Sequence, residues 1–493
     1  MSQPADIQFA LVSHTNNGKT TLARTLVGVD VGEVRDAAHV TVLSEAHVLQ
    51  TSAAGDRLLL WDTPGFGDSL RLLKRLANAG NPIGWFLREV FDRYRDRPFW
   101  LSQQALRAAK DAADVVLYLV NSSEDPRDAG YLAPEMKILE WLGKPVVVLL
   151  NQLGPPRPDS QEQAEQARWK DYLGQFGIVR DVLALDAFAR CWVHEDVFYD
   201  RIAQLIETAK QPAYARLLAS WQAHNLERLH ESLRLGAAQV AAAVRDSQAI
   251  EAEGKGGLVK SALNAVGLGK TGARRQDAAM AALVERLNRH IADTTAALLR
   301  LHRLDPGEAG RINARVRDHF AVRAPVDKAQ AGLLGAVISG AATGLSADLM
   351  AGGLTLGGGA LLGAIVGGLT AAGAAWGFNT TTERASPSVQ FADPFLRTLL
   401  VGAVLRYLAV AHFGRGRGQF IESEAPAFWQ VEVEAALARR EAELAPLWKT
   451  VRSAPDEAGA AQAVRALLEE IVTGTLERLY PGSAAQALTR KPG

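Results

Sequence analysis

The run Ser13-His14-Thr15-Asn16-Asn17-Gly18-Lys19-Thr20 joins an apolar segment, Ile7 to Val12, to the helical pattern Thr21 to Val27. Strand, loop and helix in that order, with Gly-Lys-Thr closing the loop, is the arrangement that cradles a polyphosphate. The backbone N–H groups of Asn16, Asn17, Gly18, Lys19, Thr20 and Thr21 would surround it, because successive amides and a helix N-terminus both present partial positive charge. Lys19 would reach the β- and γ-phosphates, and the Thr20 hydroxyl would ligate Mg²⁺. One residue departs from the pattern. Ser13 stands where GxxxxGK(S/T) asks for glycine, and serine holds that place only if the backbone tolerates a Cβ.

A second constellation lies downstream. Arg57 to Trp61 reads as a strand that delivers Asp62-Thr63-Pro64-Gly65. A carboxylate at the C-terminal end of a strand beside the phosphate loop is where a Mg²⁺ shell needs one. Gly65 would offer its N–H to the γ-phosphate and so register hydrolysis.

Several elements must position these groups. Val115 to Val120 and Pro145 to Leu150 are near-continuous apolar runs, as central parallel strands are, with a helical segment, Pro134 to Leu142, between them. Ala46 to Thr51 meets Arg57 to Trp61 across a turn containing Ala54-Gly55-Asp56, which reads as a hairpin. The expected fold is α/β: a P-loop domain on a mixed, mostly parallel sheet, then a mainly α-helical region with a Gly-rich apolar helical hairpin.

On these residues the first 202 positions resemble the small-GTPase fold. DTPG, rather than DTAGQ, points within it to the bacterial ribosome-assembly and tRNA-modification GTPases. That resemblance implies GTP as the purine nucleoside triphosphate, Mg²⁺ as its metal, and slow hydrolysis as a molecular switch. Thr41, in Asp36-Ala37-Ala38-His39-Val40-Thr41, stands where the group has its second metal-binding hydroxyl. The base-reading motif NKxD should follow Leu150, where the sequence has Asn151-Gln152-Leu153-Gly154. Asn151 is kept, but Gly154 replaces the aspartate that pairs with guanine, so guanine selectivity should weaken. Asp186-Ala187, after the strand Val182 to Leu185, falls at the last base-contacting loop, and Asp186 is a candidate substitute acceptor.

Phe66 takes the place of the water-orienting glutamine, so charge developing on the phosphates is best met by a cation, either an arginine finger or a potassium ion. In the resembled group an asparagine two residues before the Gly-Lys glycine holds K⁺, and Asn16 is there. Turn geometry accounts for an asparagine equally well. Lys19, Asn16 and Thr41 form the expected catalytic set. Thr20, Thr41 and Asp62 are the expected metal set. Asn16 to Thr21, Gly65, Asn151, Gln152, Asp186 and Ala187 are the expected nucleotide-binding set.

The whole chain sets bounds. Its 493 residues are too many for one ordinary core, and composition divides them into 1–202, the P-loop domain; 203–328, helical; 329–378, Gly-rich and apolar; and 379–493, helical again. Lys+Arg and Asp+Glu are both 54, giving zero net charge, which argues against general nucleic-acid binding. A single cysteine, Cys191, precludes an intramolecular disulfide and suits a reducing compartment. The polar opening residues show no secretory pattern, so a cytoplasmic location is expected. Gly269-Lys270-Thr271 imitates a phosphate loop without a preceding strand and is rejected as a second site.

Between Ala329 and Phe378 the only charge is Asp348. Gly340 and Gly344, then Gly359, Gly363 and Gly367, repeat the four-residue spacing that lets helices approach closely. The expectation is a hairpin of two helices, Ala329 to Ala347 and Ala360 to Phe378, with Trp376 and Phe378 at a lipid interface on the inner face of the cytoplasmic membrane. A hairpin buried inside the helical region accounts for the same residues. Phe86, Phe91, Tyr94 and their aromatic neighbours downstream of Phe66 are either core or a docking surface for a protein partner or second copy. The C-terminal half is similar to a domain of unknown function found fused to such GTPases. Three functions follow: a GTPase switch relaying its state to a helical, membrane-associating domain; a nucleotide-gated membrane-inserting or remodelling effector; or a non-hydrolysing nucleotide-binding scaffold.

Overall fold

The computed structural model describes residues 3–27, 45–63, 65–66, 69–70, 73, 110–153, 159–185, 191–249, 270–304, 312, 376–379, 388–412, 428–481, 484 and 487–488. The chain divides into two units: residues 1–227 with 411–426 and 480–493, and residues 228–410 with 427–479.

In the first unit the strands are β1 (Asp6–Ser13), β2 (Glu45–Thr51), β3 (Arg57–Asp62), β4 (Val115–Asn121), β5 (Val146–Asn151) and β6 (Val179–Ala184). They form one sheet in the order β2-β3-β1-β4-β5-β6, in which only β2 runs antiparallel to its neighbour. This is the expected mixed, mostly parallel sheet. The apolar runs of β1, β4 and β5 are continuous because both faces are covered, and the period of two divides each run between them. Ala10, Val12, Val116, Tyr118, Val120, Val146, Val148 and Leu150 enter one core with Met136, Ile138 and Trp169. Ile7, Phe9, Leu11, Val115, Leu117, Leu119, Val147 and Leu149 enter the other with Leu22, Phe198 and Tyr214. Each fully buried aliphatic contributes about 1.5–3 kcal/mol, so the strand ends that carry the site are held by the sheet.

The first unit's helices are α1 (Lys19–Val27), α2 (Leu132–Leu142), α3 (Asp159–Leu173), α4 (Trp192–Ala203) and the start of α5 (Gln211–Arg245). Gly143 stops α2 in the left-handed region, at φ 73°, and its N–H caps the carbonyls of Leu139 and Glu140.

The second unit holds the rest of α5, then α6 (Lys270–Leu301), α7 (Asp393–Ala411), α8 (Phe428–Ala438), α9 (Glu441–Ser453) and α10 (Glu457–Leu479). It also has a small antiparallel sheet of β7 (Ser247–Ala249), β8 (Trp376–Asn379) and β9 (Ser388–Phe391), in the order β7-β9-β8. β8 corrects one expectation. Trp376 to Phe378 do not end a helix at a lipid interface but pair as a strand with Phe391, Gln390 and Val389. Large aromatics alternating with glycine suit an extended ladder better than a helical turn. The remainder of the Gly-rich stretch, Ala329 to Ala375, lies outside the described residues, as do Phe86, Phe91 and Tyr94. Helix α7 is long and apolar enough to cross a membrane, but 78% of its most apolar window is buried inside the protein, as in a core helix.

Candidate nucleotide site

β1 ends on Ser13, which is 1% exposed and has no left-handed backbone, so its Cβ costs nothing where a glycine was expected. Its Oγ donates to the His14 carbonyl at 2.6 Å. The loop then turns through two left-handed residues, Asn16 at φ 70° and Gly18 at φ 84°. Asparagine adopts that region readily. Glycine at position 18 answers a second constraint, since a Cβ there would stand 2.6 Å from Asn151 Nδ2. The same Asn151 amide donates to the Asn17 carbonyl at 2.9 Å, tying the end of β5 to the phosphate loop. Asn17 turns its own amide inward, to the Leu119 carbonyl at 3.3 Å. Its side chain is thus part of the loop's scaffold, leaving its backbone N–H as its contribution to a ligand.

Lys19 and Asp62 are 8% and 3% exposed, with Nζ and Oδ1 3.9 Å apart. Burial pushes the Lys19 ammonium below its usual range, and the Asp62 charge opposes that shift. β1 and β3 are parallel neighbours in register from Asp6–Arg57 to Leu11–Asp62, which sets Asp62 beside the root of the loop. Thr63 anchors the next residue, its Oγ1 donating to the Leu11 carbonyl at 2.7 Å.

Phe66, expected only as a missing glutamine, has a role of its own. Its ring is fully buried. Its N–H donates to the Ser13 carbonyl at 2.9 Å and its carbonyl accepts from Thr15 Oγ1 at 2.8 Å. Gly65 lies so close to the loop that an added Cβ would be 3.3 Å from Thr15 Cα. The segment after Asp62 is therefore fastened to β1 at Thr63 and to the phosphate loop at Phe66.

Behind the loop sits a group that the motifs did not reveal. Glu135, on α2, is fully buried. It meets His14 Nδ1 at 2.7 Å and accepts from the hydroxyls of Tyr118 and Ser69. Burial raises its carboxyl above the usual range, and the bonds from His14, Tyr118 and Ser69 pull the other way. The His14 ring stacks on Tyr131 at 4.2 Å, and Tyr131 in turn donates to Glu124 at 2.9 Å. One carboxylate thus joins the phosphate loop, β4 and the start of the segment after DTPG. The available signal was a lone acid facing inward among Leu132, Met136 and Leu139.

The β2–β3 turn carries a second buried carboxylate, Asp56. It accepts from Ala5 N at 3.1 Å, Ser52 Oγ at 2.5 Å, and Arg216 Nε and Nη2 at 2.8 and 2.7 Å. The Arg216 guanidinium is the main reason its pKa is held down at about 2.

Of the other expected residues, Gln152 follows Asn151 in the left-handed region at φ 59°. Thr20 and Thr21 open α1. Thr41, Gly154, Asp186 and Ala187 lie outside the described residues. The donors present suit a nucleoside triphosphate with Mg²⁺: a buried ammonium, a buried carboxylate 3.9 Å away, a hydroxyl at the helix start, and a loop with no room for a side chain at Gly18.

Residues 8–152 match the family described as 50S ribosome-binding GTPase, and residues 172–472 match a domain of unknown function, DUF3482. Among solved structures, a variant of Era from Aquifex aeolicus bound to GDP and aluminium fluoride is 16% identical, with 58% of this chain and 87% of that one covered and a TM-score of 0.30. Era in complex with MgGDPNP and a segment of 16S ribosomal RNA is 15% identical over 58% and 88%, at 0.31. The bacterial selenocysteine-specific elongation factor is 17% identical over 42% and 29%, at 0.26. No curated protein matches the chain.

Proposed function

We propose, from the premise that this chain belongs to the DUF3482 family and carries a GTP-binding domain of the 50S ribosome-binding GTPase kind ahead of that domain, that it hydrolyses GTP slowly as a molecular switch. The observation that carries the reading is the buried Lys19–Asp62 pair at the mouth of a loop whose Gly18 admits no Cβ. Lys19 neutralises the β- and γ-phosphates. Thr20 and Asp62, with Thr41, would hold Mg²⁺, which when bound offsets the charge that develops on the phosphates. Asn16 supports a K⁺ ion in place of the glutamine that Phe66 replaces. Asn151 and Gln152 flank the base, with Asp186 as the acceptor for guanine. The apolar stretch 329–375 gives the switch a lipid-facing output at the inner face of the cytoplasmic membrane.

Nucleotide affinity and turnover of the full chain, in K⁺ and in Na⁺ and with and without vesicles, test this reading. Wild type should release phosphate from GTP, faster in K⁺ and faster on vesicles. Lys19→Ala should lose about 100-fold or more in affinity, as removal of one member of a buried charge set does. Undiminished GTP binding by Lys19→Ala would sink the assignment, and binding without turnover would leave the scaffold function in its place.

A further inference from the structure

We infer that the helical unit holds a small monovalent anion, of the size of chloride, in a cavity lined by Arg406 and Gln239. Arg406 is 2% exposed, in the middle of α7. Its one hydrogen bond among the described residues runs from Nη2 to Gln239 Oε1, at 2.6 Å. A guanidinium has five N–H donors, so this single amide oxygen leaves most of them unmatched. That bond also fixes the amide of Gln239. With Oε1 taken by the arginine, Nε2 is left as a buried donor with no acceptor among the described residues. Two buried side chains therefore bring donors to one place where no described carboxylate answers them.

The place is a cavity of about 10 Å³ lined by Arg406, Gln239, Ser232, Thr294 and Tyr407, with apolar neighbours such as Leu298. That is the space in which the centre of a water-sized body can move, so one monatomic occupant somewhat larger than water fits there. Four helices, α5, α6, α7 and α10, line the cavity, and α5, α7 and α10 come close beside it. Gly236 on α5 lets them do so, because a Cβ there would lie 3.3 Å from Leu468 of α10 and 4.0 Å from Ala403 of α7.

Burial lowers the Arg406 pKa to about 10, so the guanidinium stays charged at neutral pH. A buried charge without a counter-charge is strongly unfavourable. Water would satisfy some of the donors but not the charge. A monovalent anion does both, and a polyatomic oxyanion exceeds the space.

Thermal unfolding of the full chain in sodium chloride and in sodium gluconate at equal ionic strength, together with bromide-soaked crystals, tests the site. The midpoint should rise by about 4 °C between 5 and 200 mM chloride and stay flat in gluconate. Arg406→Met should remove the chloride response and leave the low-chloride midpoint equal to or above that of wild type. Bromide should give an anomalous peak within contact distance of the Arg406 guanidinium. Should the methionine variant fail to fold, Gln239→Leu should still weaken the chloride response, and the bromide peak in wild type decides independently. Equal midpoints in both salts, a chloride response that persists in Arg406→Met, or a pocket that holds water alone in bromide would each overturn the assignment.

Discussion

Two carboxylates in the GTP-binding unit are equally hidden from solvent and are held in opposite ways. Asp56, at the β2–β3 turn, faces a bidentate guanidinium, and its pKa is driven down to about 2. Glu135, behind the phosphate loop, has an imidazole and two hydroxyls for partners, and burial drives its pKa up. Burial alone therefore does not set the charge of a buried acid; the identity of the donor does. Where the partner is a permanent cation the carboxylate serves as a fixed clamp, fastening the β2–β3 hairpin to α5. Where the partners are neutral or titratable, it serves as a joint.

The largest effect that would sharpen this contrast is loss of Arg216. Arg216→Ala leaves Asp56 buried beside only Ser52 and Ala5, and should cost about 3–5 kcal/mol in denaturant unfolding. A loss below about 1 kcal/mol would show that the pair is screened like a surface bridge. Next come the Glu135 variants. Glu135→Ala strands three donors and should cost about 2–4 kcal/mol, whereas Glu135→Gln keeps an acceptor and should cost about 1 kcal/mol. Equal losses would contradict a joint that works with a neutral group.

The pH limbs follow with smaller amplitude. The lowered Asp56 pKa contributes stability that is complete above its ordinary value of 3.8 and is lost as pH falls toward about 2. That loss should be on the order of 1–2 kcal/mol, given that Arg216 is partly solvated, and Asp56→Asn should flatten it. The raised Glu135 pKa has the opposite sign. Its contribution is complete below the ordinary value of 4.5 and fades as pH rises through the folded value. Glu135→Gln should flatten that limb and leave the acid limb unchanged, which paired pH titrations of unfolding would read. Ser69→Ala, removing one hydroxyl among three donors, should be the mildest change, at about 0.5–1.5 kcal/mol.

The sequence made some of this legible and hid the rest for physical reasons. The phosphate loop and DTPG could be read because each is a contiguous run whose residue types answer to one ligand, and strand periodicity located the sheet around them. The loop's departure at Ser13 was visible, but its harmlessness depended on a backbone angle. Asp56 could be read as part of a turn, yet its cation stands 160 residues away, beyond any local pattern. Glu135 sits in the apolar run Leu132-Ala133-Pro134-Glu135-Met136, where one acid looks like an ordinary exposed face. Trp376 to Phe378 were misread because Gly/Ala composition carried the helical pattern past the point where a partner strand takes over.

Gly18 has a consequence for genetics. A missing hydrogen-for-methyl exchange is the smallest change a protein can suffer, yet here it would press directly on the amide of Asn151. Every single-base missense change of a glycine codon introduces a side chain of at least that size. No neighbouring missense codon is silent in shape, so the position offers evolution no gradual path. It also offers the experimenter a clean allele. Because the affected contact joins the phosphate loop to the end of β5, Gly18→Ala should disable ligand capture while the two cores on either side of the sheet stay intact.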